Sequence, residues 1–460
     1  MSNWTFDLLP KNVPAVSTRW RRIATALPVP ESLPMFKSLD GTESVSMHGQ
    51  MPIVWDKAEG CQVSDPWGNT WLDFTSTIFL ANAGHANPKV VKALRDCLDK
   101  PLLHTYSYAN PERIAYLKAL VDAAPANMEK AFLLSSGTEA TECALKLMRM
   151  NGQKNKKRRL GIICFEGNWH GRTMGAQMMG DNPRQKEWIG YLDPDIHHLP
   201  FPYPWRNIKD SVNYFTDAME ALCKEKHLDP KWDICGFMLE TFQGWAAAFY
   251  PPEFVRAIRA FADSTGALIA FDEMQAGFGR TGKLFGFEHY GVKADILCCG
   301  KGISSSLPLS AVIASKEVMD LPDIGSMSST HSANPMACAG AHASLRVILE
   351  ENLSERSALL GSQMHERLNF MRETHSNCFS HVLGKGLLAG LHFNKPDGTP
   401  LPLLATDICE KAMRKGLILV HTGRESIKIG PPLTIFEEAL NEGLDVLEEC
   451  IAEAVMEVEK

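Results

Sequence analysis

Apolar positions along this chain follow two rhythms. From about residue 160 to 315, short and nearly continuous apolar runs cover 160–165, 234–240, 267–272, 295–299 and 309–315, each bounded by polar or turn residues. Helical spacing marks 88–98, 111–123, 138–150 and 252–265. Apolar strands alternating with helices predict an α/β domain with a mostly parallel sheet covered on both faces. The second rhythm fills the C-terminal part. Helical patterns at 334–350, 353–372, 402–415 and 436–458 enclose short strand-like pieces, Gly386 to Phe393 and Ser426 to Gly430. That mixture predicts a smaller α+β domain. Ile53 to Phe74 alternates like strands around Asp65-Pro66-Trp67-Gly68-Asn69, a hairpin turn. Residues 1–50 read as an irregular arm. The expected organisation is therefore 1–78, arm and part of a small domain; 79–335, a large domain; and 336–460, the rest of the small domain.

Composition narrows the function. The chain has 460 residues, 45% hydrophobic and 22% charged, with a formal net charge of -7. It can bury a large core, and its mild acidity gives no reason to bind nucleic acid or an anionic membrane. The basic cluster Arg19-Trp20-Arg21-Arg22 reads as a solvated or substrate-facing arm. No apolar run is long enough to span a bilayer. The start, Met-Ser-Asn-Trp-Thr-Phe-Asp, lacks a basic segment followed by an apolar one, so no secretory signal is expected. Twelve cysteines are scattered without metal or redox spacing, which suits reduced core residues of a cytoplasmic protein and no metal site. The pair Cys298-Cys299 reads as strand packing.

Chemistry is expected where apolar strands end. Phe132-Leu133-Leu134 runs into Ser135-Ser136-Gly137-Thr138-Glu139-Ala140, where a helix begins. Small residues with free N–H groups at a helix N-terminus can cup an anion, though an ordinary N-cap has the same look. The run ending at Phe271 gives Asp272, and the next gives Gly300-Lys301-Gly302. A surface lysine is the plain alternative for Lys301. On successive strands, however, Asp272 and Lys301 would lie close together. A desolvated lysine can form an imine, and an acid can keep a pyridinium protonated. Anion cup, acid and lysine together are what pyridoxal 5'-phosphate needs.

At this point the sequence resembles the class III, ω-amino acid type aminotransferases of PLP fold type I. The resemblance runs from Asp65 to the C-terminal helix. Its most specific stretch is Phe271 to Gly282, against a family pattern D-E-x-Q-x-G-x-G-R-T-G. Asn82-Ala83-Gly84-His85, Ser136 to Glu142, Trp169-His170-Gly171-Arg172-Thr173, Glu240-Thr241-Phe242-Gln243-Gly244, Thr330 to Pro335 and Pro431-Pro432-Leu433 match as well. The resemblance implies that Lys301 holds the cofactor and shuttles the proton, and that Asp272 pairs with the pyridine nitrogen. It implies that Gln275 bonds the phenolic oxygen and that Ser136, Gly137 and Thr138 hold the phosphate. Thr330 would complete that phosphate site from a neighbouring subunit, so the active unit would be a homodimer, and a tetramer stays open. Trp169 stands where the family stacks an aromatic on the ring, with core packing as the alternative. His170, Glu240, Arg172 and Arg280 would support the cofactor residues.

Two departures concern substrate. Trp245 stands where many members carry Glu, and Lys428 where they carry an Arg that binds the common keto acid. Arg424 is an alternative carboxylate binder, or a surface partner of Glu425. Phe79 is a pocket residue or core. The expected activity moves an amino group from an amine or ω-amino compound with an apolar body to a 2-oxo acid such as pyruvate or 2-oxoglutarate. The alternatives are a racemase, epimerase or aminomutase on the same scaffold, and a homologue without turnover.

Overall fold

A computed structural model of the chain describes residues 6–458, and its contacts divide it into two compact units. The larger comprises Pro88–Gly244 and Ala248–Ser354. Its centre is a sheet of β1 (Lys130–Leu134), β2 (Gly161–Phe165), β3 (Ile196–Leu199), β4 (Ile234–Glu240), β5 (Leu268–Asp272), β6 (Ile296–Cys299) and β7 (Ser310–Ala314). The strand order is β1-β7-β6-β5-β4-β2-β3. Pairs from β6 through β3 are parallel, while β7 runs antiparallel to both β6 and β1. The mostly parallel sheet holds because β2 and β4 are buried at every position, as strands covered on both faces must be.

Two elements of this unit escape the apolar pattern. β3 is only Ile-His-His-Leu, a four-residue edge strand with alternating burial. Helix Ser211–Lys226 shows a weak apolar stripe, and its start is fixed by Asp210, whose carboxylate accepts the Val212 and Asn213 N–H groups at 3.0 Å. Helix Pro335–Glu350 packs on helices Pro88–Leu98 and Pro111–Ala123 within the larger unit, although the sequence reading gave it to the C-terminal part.

The second unit takes the chain up to Asn87, Trp245–Ala247 and Glu355 onward. The expected hairpin joins Gln62–Ser64 to Thr70–Asp73, and Asp65 closes its turn by accepting the Asn69 N–H at 2.8 Å. An antiparallel sheet runs Phe379–Gly384, Ala389–Phe393, Ser426–Ile429, Val420–His421. Helices Pro402–Arg414 and Glu437–Val458 complete the unit.

The arm differs from expectation. It contains the helix Leu33–Thr42, none of whose residues is buried; its first five residues lie outside the described ones. The basic cluster is no free arm either. Trp20 is buried and stacks on Phe436, Arg19 lies 4.5 Å over Trp20, and Arg21 pairs with Glu442 at 2.7 Å. Burying an indole anchors the cluster, which leaves Arg19 and Arg22 exposed. All twelve cysteines are free thiols, and all but Cys223 are buried. Among the described residues no helix is long and apolar enough to cross a membrane.

Candidate active site

Strand register assembles the centre of the larger unit's cleft. Asp272 at the end of β5 pairs with Glu240 of β4 on one side and Cys298 of β6 on the other. Three residues beyond Cys298, the chain reaches Lys301. Three charged side chains therefore leave adjacent parallel strands at the same edge, where open α/β sheets bind ligands.

Asp272 is held from two directions. Its Oδ1 accepts the Met274 N–H at 3.0 Å, and its Oδ2 accepts from His170 Nδ1 at 2.9 Å. The Asn168 amide donates to His170 Nε2 at 3.1 Å, which leaves the ring proton on Nδ1, toward Asp272. Glu240 faces backbone: its Oε2 accepts the Trp169 N–H at 3.0 Å and its Oε1 the Gly244 N–H at 3.1 Å. Glu240 thus shapes the loop that carries Trp169.

Lys301 has φ +45°, a left-handed backbone that costs a side-chain-bearing residue energy and that functional sites often retain. Among the described residues it makes no hydrogen bond and no ion pair. Burial lowers its pKa, and the charges of Asp272 and Glu240 oppose that shift. A buried amine that sheds its proton more easily than usual is a nucleophile in waiting. It lines a cleft together with Gly137, Thr138, Trp169, His170, Asp272 and Gln275.

Helix Gly137–Lys154 starts at this cleft. Its first turn brings Gly137 and Thr138 to the wall, while Ser136 is exposed and its N–H and Oγ bond Glu139 Oε2 at 2.7 and 3.2 Å. Thr138 Oγ1 lies 2.7 Å from Thr173 Oγ1. Trp169 is 39% exposed, with the Arg172 guanidinium 4.3 Å over its ring, so the core-packing alternative falls. Thr330 lies exposed in the loop before Pro335 and outside the cleft lining.

The four substrate candidates lie in the second unit, as two cation–aromatic pairs. The Arg424 guanidinium stacks 3.6 Å over Trp245, and Lys428 Nζ lies 5.1 Å over Phe79. Phe79 and Lys428 are buried. Arg424 also approaches Glu425 at 3.6 Å.

The pattern that defines aminotransferase class-III matches residues 44–451. The chain belongs to the class-III aminotransferases. It is 34% identical to the 2-aminoadipate transaminase of Pseudomonas putida, over 87% of this chain and 96% of that one. It is 32% identical to the alanine/serine racemase of Pyrococcus horikoshii, over 88% and 86%. The solved ornithine aminotransferase of Toxoplasma gondii, with partial occupancy of PLP at its active site, superposes with a TM-score of 0.83 at 25% identity, over 94% of this chain and 97% of that one. The enzyme is accordingly a transaminase that uses pyridoxal 5'-phosphate and acts on an amine donor and a 2-oxo acid. Family membership does not favour the racemase alternative.

The cleft suits this cofactor on three counts. The helix N-terminus at Gly137 and Thr138 offers backbone N–H groups and a positive dipole end to a phosphate. Asp272 is a buried carboxylate already oriented by two donors, fit to face a ring N–H. Lys301 is a desolvated amine with no hydrogen bond or ion pair among the described residues, fit to meet a carbonyl.

Three supporting residues escaped the sequence reading. Asn168 fixes the His170 tautomer, Met274 packs where a Cβ on Gly137 or Gly300 would stand 2.8 or 2.3 Å from its sulfur, and Glu273 ties the following loop. Met274 meets Gly137 across distant segments, which spacing cannot show, and the Asn168–His170 bond, although only two positions long, depends on how the loop turns both side chains. Glu273 was visible beside Asp272, but its role depends on which way its side chain turns.

Proposed function

We propose that the enzyme transfers nitrogen from an amine or ω-amino compound with an apolar body to a 2-oxo acid such as pyruvate or 2-oxoglutarate, as a cytoplasmic homodimer. The observation that carries this reading is the pairing of each candidate cation with an aromatic face, Arg424 on Trp245 and Lys428 on Phe79. Such pairs offer apolar wall to a donor's body and a cation to an acceptor's carboxylate.

Bound in the cleft, pyridoxal 5'-phosphate supplies a carbonyl for the amine and a pyridinium that draws electrons from the substrate carbon. In this reading Lys301 holds the cofactor at rest, and its freed Nζ then takes the proton from the carbon bearing the amine and returns it. Asp272, steadied by His170, keeps the ring nitrogen charged. Gln275 bonds the phenolic oxygen, and Trp169 covers a ring face. Ser136, Gly137 and Thr138 hold the phosphate, joined by Thr330 of a second copy, whose exposure in a single chain suits that duty. Glu240 braces the Trp169 loop. Arg424 takes the acceptor carboxylate, with Lys428 as a second positive charge.

The test is a screen of amine donors against pyruvate and 2-oxoglutarate. Apolar amines should turn over faster than ornithine or 4-aminobutyrate, and the opposite ranking overturns the substrate reading. Amine alone should bleach the visible band of the bound cofactor and release one carbonyl product per site. Solvent-deuterium uptake with inversion and an unbleached band would make the enzyme a racemase instead.

A further inference from the structure

Trp245 and Arg424 are each anchored by a histidine, His392 buried and His421 half-buried. His392, 1% exposed in strand Ala389–Phe393, donates from Nε2 to the Ala246 carbonyl at 2.9 Å. Its ring meets the Trp245 indole edge-on, with centroids 5.7 Å apart and planes at 73°. The neighbouring Ala247 has φ +54°, unusual for a residue with a Cβ. Two positions before His392, a Cβ on Gly390 would stand 2.5 Å from the Ala246 oxygen. Segment 245–247 therefore lies directly against this strand. Gly390 leaves the room and His392 supplies the donor.

The loop carrying Arg424 is held in a matching way. His421 Nδ1 accepts the Gly423 N–H at 2.9 Å, so its proton sits on Nε2, 3.1 Å from Thr406 Oγ1. Thr422 bonds Ser426 across the turn, its Oγ1 2.8 Å from the Ser426 Oγ, and Ser426 pairs with His392 in the sheet. Burial pushes both imidazoles down to about 4, so each stays neutral and keeps one N–H and one acceptor nitrogen.

Stacking and carboxylate binding use different parts of a guanidinium. The face lies on the indole, while the N–H groups point outward in the plane, where a carboxylate binds in a fork. A carboxylate partner in place of Trp245 would occupy those N–H groups and have to be displaced. Trp245 restricts the arginine's rotamers without using its donors. The benefit depends on the indole staying under the guanidinium, which is what the two histidines govern.

We propose that His392 and His421 are positioning residues that fix Arg424 on the face of Trp245 and thereby preset its affinity for the carboxylate of the 2-oxo acid acceptor. The proposal rests on the reading of Arg424 as the acceptor's ligand.

The test uses the holoenzyme and measures dissociation constants of pyruvate and 2-oxoglutarate by calorimetry, beside the bleaching rate with a carboxylate-free amine. Arg424→Ala should weaken both acceptors. His392→Phe keeps the ring and removes the donor; it should weaken them about tenfold, the effect of losing roughly one good polar contact, with the amine rate unchanged. His392→Gln, whose amide N–H can replace Nε2–H, should restore affinity. His421→Phe should act like His392→Phe, and it decides the matter if His392→Phe does not fold. Unchanged constants in Arg424→Ala overturn the reading of Arg424 and this proposal with it. Weakened binding in Arg424→Ala but not in His421→Phe or a folded His392→Phe overturns the positioning alone. A purely structural role would lower the amine rate as well, or leave His392→Gln no better than His392→Phe, and either result overturns it.

Discussion

His170 Nδ1 stands 2.9 Å from Asp272 Oδ2, and both side chains are buried. The contact gives the carboxylate one fixed orientation and a ring N–H donor at Nδ1. Asp272→Asn keeps the shape but removes the charge, and should lower kcat by about 10²–10³-fold, the scale for losing one aimed electrostatic group. His170→Asn, whose amide can reach like Nδ1, should lose far less than His170→Leu. Steady-state kinetics with cofactor content measured in each variant decides. Equal losses in the two His170 variants would remove the orienting role.

Lys301 predicts a conflict between function and stability. Its lowered pKa means that, below 10.5, the folded protein binds fewer protons at this site than the unfolded chain does. Stability of the cofactor-free protein should therefore rise with pH as Lys301 deprotonates. Lys301→Met should abolish turnover and the visible band, flatten that slope and stabilise the cofactor-free protein by about 1–2 kcal/mol at neutral pH. Denaturant unfolding at several pH values reads the slope and the stability, and kinetics with absorbance of the cofactor-loaded protein reads turnover and the band. A destabilised Lys301→Met protein would show that the buried amine costs nothing.

Much of this centre was legible because parallel strands deliver their next residues to one edge. Asp272 and Lys301 each follow an apolar run, and register alone brings those runs together. The support around them was not legible. Asn168 meets His170, two positions on, only because the loop turns both side chains inward, and Met274 fills space that Gly137 and Gly300 leave open. Spacing cannot report on such meetings. The arm misled for a different reason: helix Leu33–Thr42 spaces Leu33, Phe36 and Leu39 helically, but Pro34 and Gly41 lie inside it and none of its residues is buried. Arg21 in turn finds Glu442 from 421 positions away.

Glu273 should make stability fall with rising pH. The side chain is fully buried and accepts from Thr241 Oγ1 at 2.6 Å and from the Gly286 and Phe287 N–H groups at 2.7 and 2.8 Å. Burial outweighs these donors and lifts its pKa from 4.5 to about 7. Between those values the folded state binds the extra proton, so stability declines across that window and the loss is complete above it. The total is on the order of 3 kcal/mol. Glu273→Gln does not titrate and sets its amide against an N–H donor. It should be less stable than the parent at pH 5 by about 1–3 kcal/mol, and the gap should narrow by pH 8. Parallel stability curves for the two proteins would refute the assignment.

Residues Ser76 to Phe79 form a left-handed turn, with φ of 46°, 52°, 61° and 68°. Each such residue costs about 1–2 kcal/mol when it carries a Cβ, and Thr77 and Ile78 are β-branched, the least suited of all. Neighbouring bonds hold the turn: Asp73 Oδ1 accepts the Thr75 N–H and hydroxyl at 2.7 and 2.6 Å, its Oδ2 meets His85 at 2.6 Å, and Ser76 Oγ donates to the Gly430 carbonyl at 2.7 Å. Thr77 is exposed, and among the described residues its hydroxyl bonds only the adjacent Ser76 carbonyl, at 2.6 Å. Glycine adopts this backbone freely, so Thr77→Gly should relieve strain at little cost in contacts. After the added entropy of the unfolded chain, the net gain should be about 0.5–1 kcal/mol. Leu80→Gly, at φ -87° just beyond the turn, should destabilise instead. Leu80 is partly buried, so its loss combines lost contacts with the added freedom of the unfolded chain, whereas Thr77→Gly exchanges an exposed side chain for relief of the backbone. A loss of stability in Thr77→Gly as large as that in Leu80→Gly would mean that the turn stores no strain.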